Sequence, residues 1–292
     1  MSIPAAYAGV VLIWSTTPLA IQWSGHEVGF LFGLSCRMLI GLTLLLCLHL
    51  LLKKKLRMDR EAWRVYIPGG LSLWGAMSCV YLAAQTMPSG WISVIFGTTP
   101  VVTGIMAALW LNEPALTRYK VGGILLALSG LAAMFYSGQS FLAHSSLGIT
   151  LVFMSVLFHS GSAVWIKRIN IRLDGISTTT GSLFIAVPLY ITSWMIFDGH
   201  WPENIPLKAS IAILYLGVAG SVIGFSLYYF LLTRLPANRL ALITLITPVI
   251  ALWLGQGFNG EIILPSTYFG TAIILLGLAV YEWGDHLWTT QY

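Results

Sequence analysis

The second half of this chain repeats the first half without a gap. Tyr229 follows Tyr81 by 148 positions, and the same spacing pairs six more identical residues. These pairs are Pro88 with Pro236, Thr99 with Thr247, Pro100 with Pro248, Val101 with Val249, Glu113 with Glu261, and Gly122 with Gly270. An internal duplication of this length predicts two structural units of the same kind, which we place at residues 1–143 and 144–292.

The composition indicates that both units lie in a membrane. Hydrophobic residues make up 57% of the chain and charged residues 9%, which is more apolar than a water-soluble surface tolerates. The net charge of +5 is interpreted as a topology signal, and no nucleic-acid partner is predicted. Cys36, Cys47 and Cys79 lie in apolar runs without metal-ligand spacing, so neither a disulfide nor a metal or other cofactor is expected.

Ten apolar runs approach the length of about 20 residues that a helix needs to cross a bilayer. The runs are continuous rather than alternating, which predicts helices and not strands. The predicted spans are residues 3–22, 28–52, 66–84, 91–111, 119–136, 147–166, 178–197, 209–232, 237–258 and 267–283. The first run has no basic segment before it, so we expect a retained helix rather than a signal peptide.

An odd number of spans in each repeat threads the second repeat through the membrane upside down. The lysines and arginines fix the direction, because thirteen of the fifteen follow spans two, four, six and eight. Lys208 lies on the opposite side, and Arg37 lies within span two. The positive-inside rule therefore predicts that both termini are cytoplasmic. Inverted repeats are typical of transporters, which bind substrate between the repeats near the bilayer midplane.

A polar and aromatic stripe on span three recurs on span eight. Trp74, Ser78 and Tyr81 are spaced by four and three residues, so they share one helical face. The repeat spacing maps Ser78 and Tyr81 onto Ser226 and Tyr229. One interpretation is that the two faces meet and line a substrate cavity. The other is ordinary packing, because small residues let membrane helices approach and aromatic residues anchor at interfaces.

Spans one and six carry a second group of candidates. Trp14 and Thr17 lie on one side of span one, and a spacing of 145 brings Trp14 onto His159. His159 is a titratable side chain in an apolar run, which favours substrate recognition or proton coupling. A neutral histidine bonded to a neighbouring helix is the alternative. Pro100 and Pro248, inside spans four and nine, are predicted to kink both helices.

Arg37 and Glu282 are the remaining ionisable candidates. An unpaired cation in mid-bilayer costs about 2.5–3.5 kcal/mol, so Arg37 must face the protein interior or water. It either contacts a substrate carboxylate or phosphate, or it caps helix carbonyls or snorkels outward. No Asp or Glu lies in the middle of a span. Proton coupling would therefore use His159, Glu282 near the end of span ten, or another peripheral group, and facilitated diffusion or exchange stays open.

Several short motifs accompany Arg37 in both repeats. They are IWS at 13–15, TTPVV at 98–102, LNEP at 111–114 followed by a glycine-rich span, and TPVI at 247–250. Together they resemble the drug/metabolite transporter superfamily and, within it, the EamA-like family of bacterial exporters. The resemblance implies a ten-helix inverted-repeat fold, transport without ATP, and export of amino acids or related metabolites. It also implies a central cavity, with candidate positions at Trp14, Tyr81, Thr98, His159 and Tyr229.

We therefore expect an all-α integral membrane protein that exports small metabolites, foremost amino acids, across the bacterial inner membrane by alternating access. Its expected partners are the small-molecule substrate and the lipid bilayer, with a homodimer as an open option. A membrane-embedded enzyme on lipid-linked substrates would need clustered ionisable residues at one membrane face, and Ser160 has no GxSxG motif around it. No catalytic residues are predicted. A membrane subunit without transport activity is the third class.

Overall fold

The computed structural model of the protein describes residues 2–111, 117–136, 139–171, 173–241, 243–260 and 263–289. These residues form helices and connections, without a strand in any of the described ranges. The α-helices are α1 Ile3–Gly25, α2 Phe30–Leu51, α3 Arg60–Ala83, α4 Ser89–Phe96, α5 Thr99–Trp110, α6 Arg118–Tyr136, α7 Gln139–Ile169, α8 Gly175–Phe197, α9 Leu207–Tyr215, α10 Phe225–Leu232, α11 Ala237–Ala241, α12 Ile243–Asn259 and α13 Pro265–Thr289. A π-helical segment, Leu216–Gly224, joins α9 to α10.

Seven helical stretches in the described part of the chain are long and apolar enough to cross a membrane. They are Ile3–Gly25, Phe30–Leu51, Arg60–Ala83, Ser89–Trp110, Ser146–Ile169, Gly175–Phe197 and Leu207–Leu232. The prediction of an all-α, multi-pass membrane protein is confirmed to this extent. The other three predicted spans coincide with α6, with α11 and α12, and with α13. The count of ten spans and the cytoplasmic termini stay predictions.

The predicted fourth span is interrupted. α4 ends at Phe96, α5 begins at Thr99, and Pro100 is its second residue. A proline at this position disturbs little, because its missing N–H would have no partner in the first turn. Pro248, by contrast, lies inside the continuous helix α12. The break contacts that proline, since a Cβ at Gly97 would lie 3.7 Å from Pro248 Cγ.

Close helix contacts show how the helices run relative to one another. α3 and α8 run parallel, because Gly70 lies against Ile185 and Trp74 reaches Ser193 further along both helices. α6 and α13 run antiparallel and approach closely at glycines, which is the usual packing of membrane helices. In that pair Gly123 lies against Gly277, and Gly130 lies against Gly270. α4 and α12 also run antiparallel, with contacts from Gly90 to Leu252 and from Gly97 to Thr244.

Candidate functional site

A cavity of about 90 Å³ lies between helices from both halves of the chain. α1, α2, α3 and α4 from the first half and α7, α10 and α12 from the second half contribute to its wall. Most of the wall is apolar, with Pro18, Met77, Phe96 and Phe225 among its residues. The volume is below the roughly 150 Å³ of a cavity that holds benzene. In this conformation the cavity therefore accepts only a small solute.

Four of the predicted site residues line this cavity: Trp14, Thr17, Arg37 and His159. The ring centroids of Trp14 and His159 are 5.6 Å apart in an edge-on arrangement. The spacing of 145 in the sequence therefore identified two residues that are in contact. His159 makes no hydrogen bond to any residue in the described part of the chain. Among the described residues, the rings of Trp14 and Tyr228 pack against it.

Tyr228 completes the aromatic cluster and was missed by the sequence analysis. Its ring lies 5.1 Å from Trp14 and 5.0 Å from His159. The repeat spacing selected its neighbour Tyr229, because that residue matches Tyr81. Tyr228 and Tyr229 both line a second cavity of about 20 Å³, which shares His159 and Phe225 with the first. The two cavities are thus adjacent, with His159 in the wall of both.

The stripe predicted on span three faces the neighbouring helices. Trp74 donates a hydrogen bond from Nε1 to Ser193 Oγ on α8, at 3.0 Å. Tyr81 is fully buried, and its hydroxyl accepts hydrogen bonds from Ser24 and from Arg37. The hydroxyl of Ser78 is buried without a hydrogen-bond partner among the described residues. None of these three side chains lines the cavity in this conformation, and their contact with substrate stays a prediction.

Two more predicted site residues lie away from the cavity wall. Ser226 packs its backbone against α8, where a Cβ at Gly175 would lie 2.2 Å from the Ser226 carbonyl oxygen. Thr98 is buried and donates to the carbonyl of Ile95 at 2.7 Å. Other polar residues do line the cavity, namely Ser93 on α4 and Thr244 and Thr247 on α12. Glu282 is part of α13, but its side chain lies outside the described part of the structure.

Arg37 brings a full positive charge to the cavity. The residue is 1% exposed, so its side chain does not snorkel to the membrane surface. Its Nε donates to Ser221 Oγ at 3.0 Å, and its Nη1 donates to the Tyr81 hydroxyl at 3.4 Å. The rings of Tyr81 and Phe225 lie 5.9 and 6.0 Å from the guanidinium carbon. All of these neighbours are neutral, and no carboxylate in the described part of the chain forms an ion pair with Arg37.

A cavity with an apolar wall and a few polar groups, lined by membrane helices from two halves of a duplicated chain, is typical of multi-pass membrane carriers. The chain belongs to the EamA-like transporter family, whose sequence profile matches residues 3–136 and 146–282. The resemblance drawn from the motifs is confirmed.

Related sequences agree with this family assignment, and one solved structure has a similar fold. The chain is 24% identical over 271 residues to "Uncharacterized transporter YoaV" of Bacillus subtilis, covering 92% of both proteins. It is 24% identical over 288 residues to "Uncharacterized inner membrane transporter YedA" of Escherichia coli, covering 98% of this chain and 92% of that protein. A solved crystal structure aligns over 98% of this chain and 99% of its own, with a TM-score of 0.73 and 19% identity. That likeness supports the overall fold.

Proposed function

We propose that the protein is a secondary transporter that exports small amphipathic metabolites, foremost amino acids, by alternating access around the cavity between its halves. The observation that carries this proposal is the cavity itself, which is mostly apolar and has Arg37, His159 and a few hydroxyls in its wall. Such a wall suits a solute with one apolar part and one polar part. Relatives named as transporters support the same function. The proposal assigns the chain no enzymatic activity.

We also propose ten spans in two inverted repeats, residues 1–143 and 144–292, with both termini in the cytoplasm of a bacterial inner membrane. The directions of the helix pairs support this threading. In this threading, spans three and seven both run from the cytoplasm to the outside. The corresponding helices, α3 and α8, run parallel as this requires. Spans four and nine would cross in opposite directions, and α4 and α12 run antiparallel. A relative named as an inner membrane transporter supports the location.

Thiol labelling in intact cells tests this topology. In a background without the three native cysteines, Lys55→Cys lies in the proposed cytoplasmic connection after α2, and Glu203→Cys lies in the proposed outer connection before α9. Both positions are exposed. A membrane-impermeant maleimide should label Glu203→Cys in intact cells and Lys55→Cys only after permeabilisation. Labelling with the reverse pattern would overturn the proposed orientation.

The interruption between α4 and α5 is a suitable place for the change of access. It lies beside Pro248 of α12, so the interruption in one repeat meets a proline of the other. Transporter sites are commonly formed at such interrupted helices. α4 also lines the cavity through Ser93 and Phe96. A movement at Gly97 and Thr98 would therefore open or close the cavity wall on one side.

Efflux from proteoliposomes tests the transport function. Vesicles loaded with individual radiolabelled amino acids should release at least one of them faster than protein-free vesicles do. Repeating the measurement with a pH gradient separates proton coupling from facilitated diffusion. If the gradient accelerates efflux, His159→Gln should lose that acceleration and keep exchange, because His159 is the titratable group in the cavity wall. Release no faster than in protein-free vesicles for the whole panel would contradict the proposal.

A further inference from the structure

The guanidinium of Arg37 has hydrogen-bonding capacity left over at the cavity wall. An arginine carries five N–H donors, and Arg37 makes two hydrogen bonds to described residues. Nη2 makes none of them. This atom packs against Gly220, where a Cβ would lie 3.0 Å from it, so the missing side chain at Gly220 makes room for the guanidinium. Since Arg37 lines the cavity, the donors that bond no described residue belong to a side chain that a solute there would meet.

The charge of Arg37 is also unpaired with any acidic side chain in the described part of the chain. A buried cation is costly unless an anion or several hydrogen bonds offset the loss of water. Ser221 and Tyr81 provide neutral oxygen atoms only. Of the wall residues that the structure describes, none is Asp or Glu. An anion that enters the cavity thus meets a positive charge that none of the described acidic side chains neutralises.

We infer that Arg37 anchors a single carboxylate of the transported solute, so that the substrates are small organic acid anions with an apolar tail. This inference rests on the proposed transport function. The guanidinium fork matches the geometry of a carboxylate and binds it more strongly than a neutral group. One arginine suits one negative charge. Ile21, Met77, Ile92 and Phe96 of the same wall provide the apolar surface for the tail.

The same wall should also bind organic acids in preference to amines. The described wall residues offer an ammonium group no carboxylate, and only hydroxyls and the imidazole of His159 as neutral acceptors. It would also be repelled by Arg37. Amino acids are therefore bound through their carboxylate, and removal of the α-amino group leaves binding intact. Removal of the carboxylate abolishes it.

Ligand binding to the purified protein in detergent tests the inference without any measurement of transport. The probes are straight-chain carboxylates of two to six carbons, primary amines of the same lengths, and the matched set leucine, 4-methylpentanoate and 3-methylbutylamine. A ligand that binds the folded state raises the midpoint of thermal unfolding in a saturable manner. We expect the acids and leucine to raise it and the amines to leave it unchanged.

Three variants connect this preference to Arg37. Arg37→Gln should bind the best acid about tenfold more weakly or worse, because a charge-assisted hydrogen bond is lost. Arg37→Lys should keep the preference for acids with reduced affinity, because it keeps the charge without the fork. Ser221→Ala should keep the preference as well. If Arg37→Gln does not fold, the comparison of acids with amines on the unmodified protein and on Arg37→Lys decides the question.

The outcomes separate this inference from the transport proposal. Equal stabilisation by amines and acids, no stabilisation by any acid, or full acid binding by Arg37→Gln would overturn the assignment of Arg37. Binding of acids without efflux of any solute would instead contradict transport and leave the anchor standing. Efflux of leucine without a preference for acids would contradict the anchor alone.

Discussion

Arg37 Nε donates a hydrogen bond to Ser221 Oγ at 3.0 Å, and this bond ties α2 to the π-helical segment between α9 and α10. Both residues are buried. Ser221→Ala leaves a donor of a buried cation without its closest partner, so we expect a loss of about 1–3 kcal/mol of unfolding free energy. Denaturant unfolding of the purified protein in detergent measures it.

Ser226→Ala is the matched control for that change. The Ser226 hydroxyl is buried but has no hydrogen-bond partner among the described residues, so its removal leaves nothing unsatisfied. Its unfolding free energy should stay close to that of the unmodified protein. If Ser221→Ala and Ser226→Ala are equally stable, the bond from Arg37 does not contribute to the fold.

Two adjacent glycines on α6 should respond in opposite ways to alanine. A Cβ at Gly123 would lie 2.4 Å from the carbonyl oxygen of Gly277 and 2.7 Å from the backbone nitrogen of Tyr281 on α13. A Cβ at Gly122 would meet no atom within 4 Å. Gly123→Ala must separate the two helices, and we expect a loss of about 1–3 kcal/mol in stability. Gly122→Ala should gain up to about 1 kcal/mol from helix propensity.

Denaturant titration of both alanine variants under the same detergent conditions makes the comparison. Equal stability of the two variants would show that α6 and α13 do not approach as closely as the structure indicates.

Asp174 at the start of α8 should make stability sensitive to acid. Its carboxylate accepts hydrogen bonds from the backbone nitrogen and the hydroxyl of Ser177, at 3.0 and 2.7 Å. Burial acts to raise the pKa of Asp174, but the bonds from Ser177, together with Lys54 and His49, hold this pKa below its usual value. The ionised carboxylate therefore stabilises the fold above the unfolded pKa of about 3.9, and this contribution is lost as the pH falls through the folded value.

Two substitutions separate the charge of Asp174 from its capping role. Asp174→Asn keeps an N-cap acceptor without a titratable group, so its stability should change less than that of the unmodified protein below about pH 4. Asp174→Ala should lose about 0.5–2 kcal/mol at neutral pH. Thermal unfolding across a pH series measures both effects. A pH dependence of Asp174→Asn identical to that of the unmodified protein would rule out this carboxylate as the acid-sensitive group.

The positions of the helices followed from the sequence more directly than their contacts did. Apolar runs located the membrane helices, although α3 begins at Arg60, six residues before the predicted start at 66. The charged residues of its first turn hid that start, and the capping bond from Ala62 to Asp59 marks it. The break at Gly97 was also missed, because the apolar run is continuous across it.

The rotation of α3 shows why the cavity wall was harder to predict. Periodicity predicted that Trp74 and Tyr81 share the face toward the cavity, but the cavity wall contains Leu73, Ala76 and Val80 of this helix. In a soluble protein an apolar stripe would identify the buried face. In a membrane, lipid is as apolar as the protein interior, so hydrophobicity does not distinguish the inner face from the outer face. The spacing of 145, and not the repeat spacing of 148, aligned Trp14 with His159, whose rings are in contact.

Filling the cavity tests the proposed transport route most directly. Ala76 lines the cavity and is 2% exposed, so Ala76→Trp should bring solute efflux from proteoliposomes down to the level of protein-free vesicles. Ala76→Leu should reduce it in part. Leu125→Trp is the control, because Leu125 is 63% exposed on α6, and it should transport normally. If folded Ala76→Trp transports as fast as the unmodified protein, the solute does not pass through this cavity.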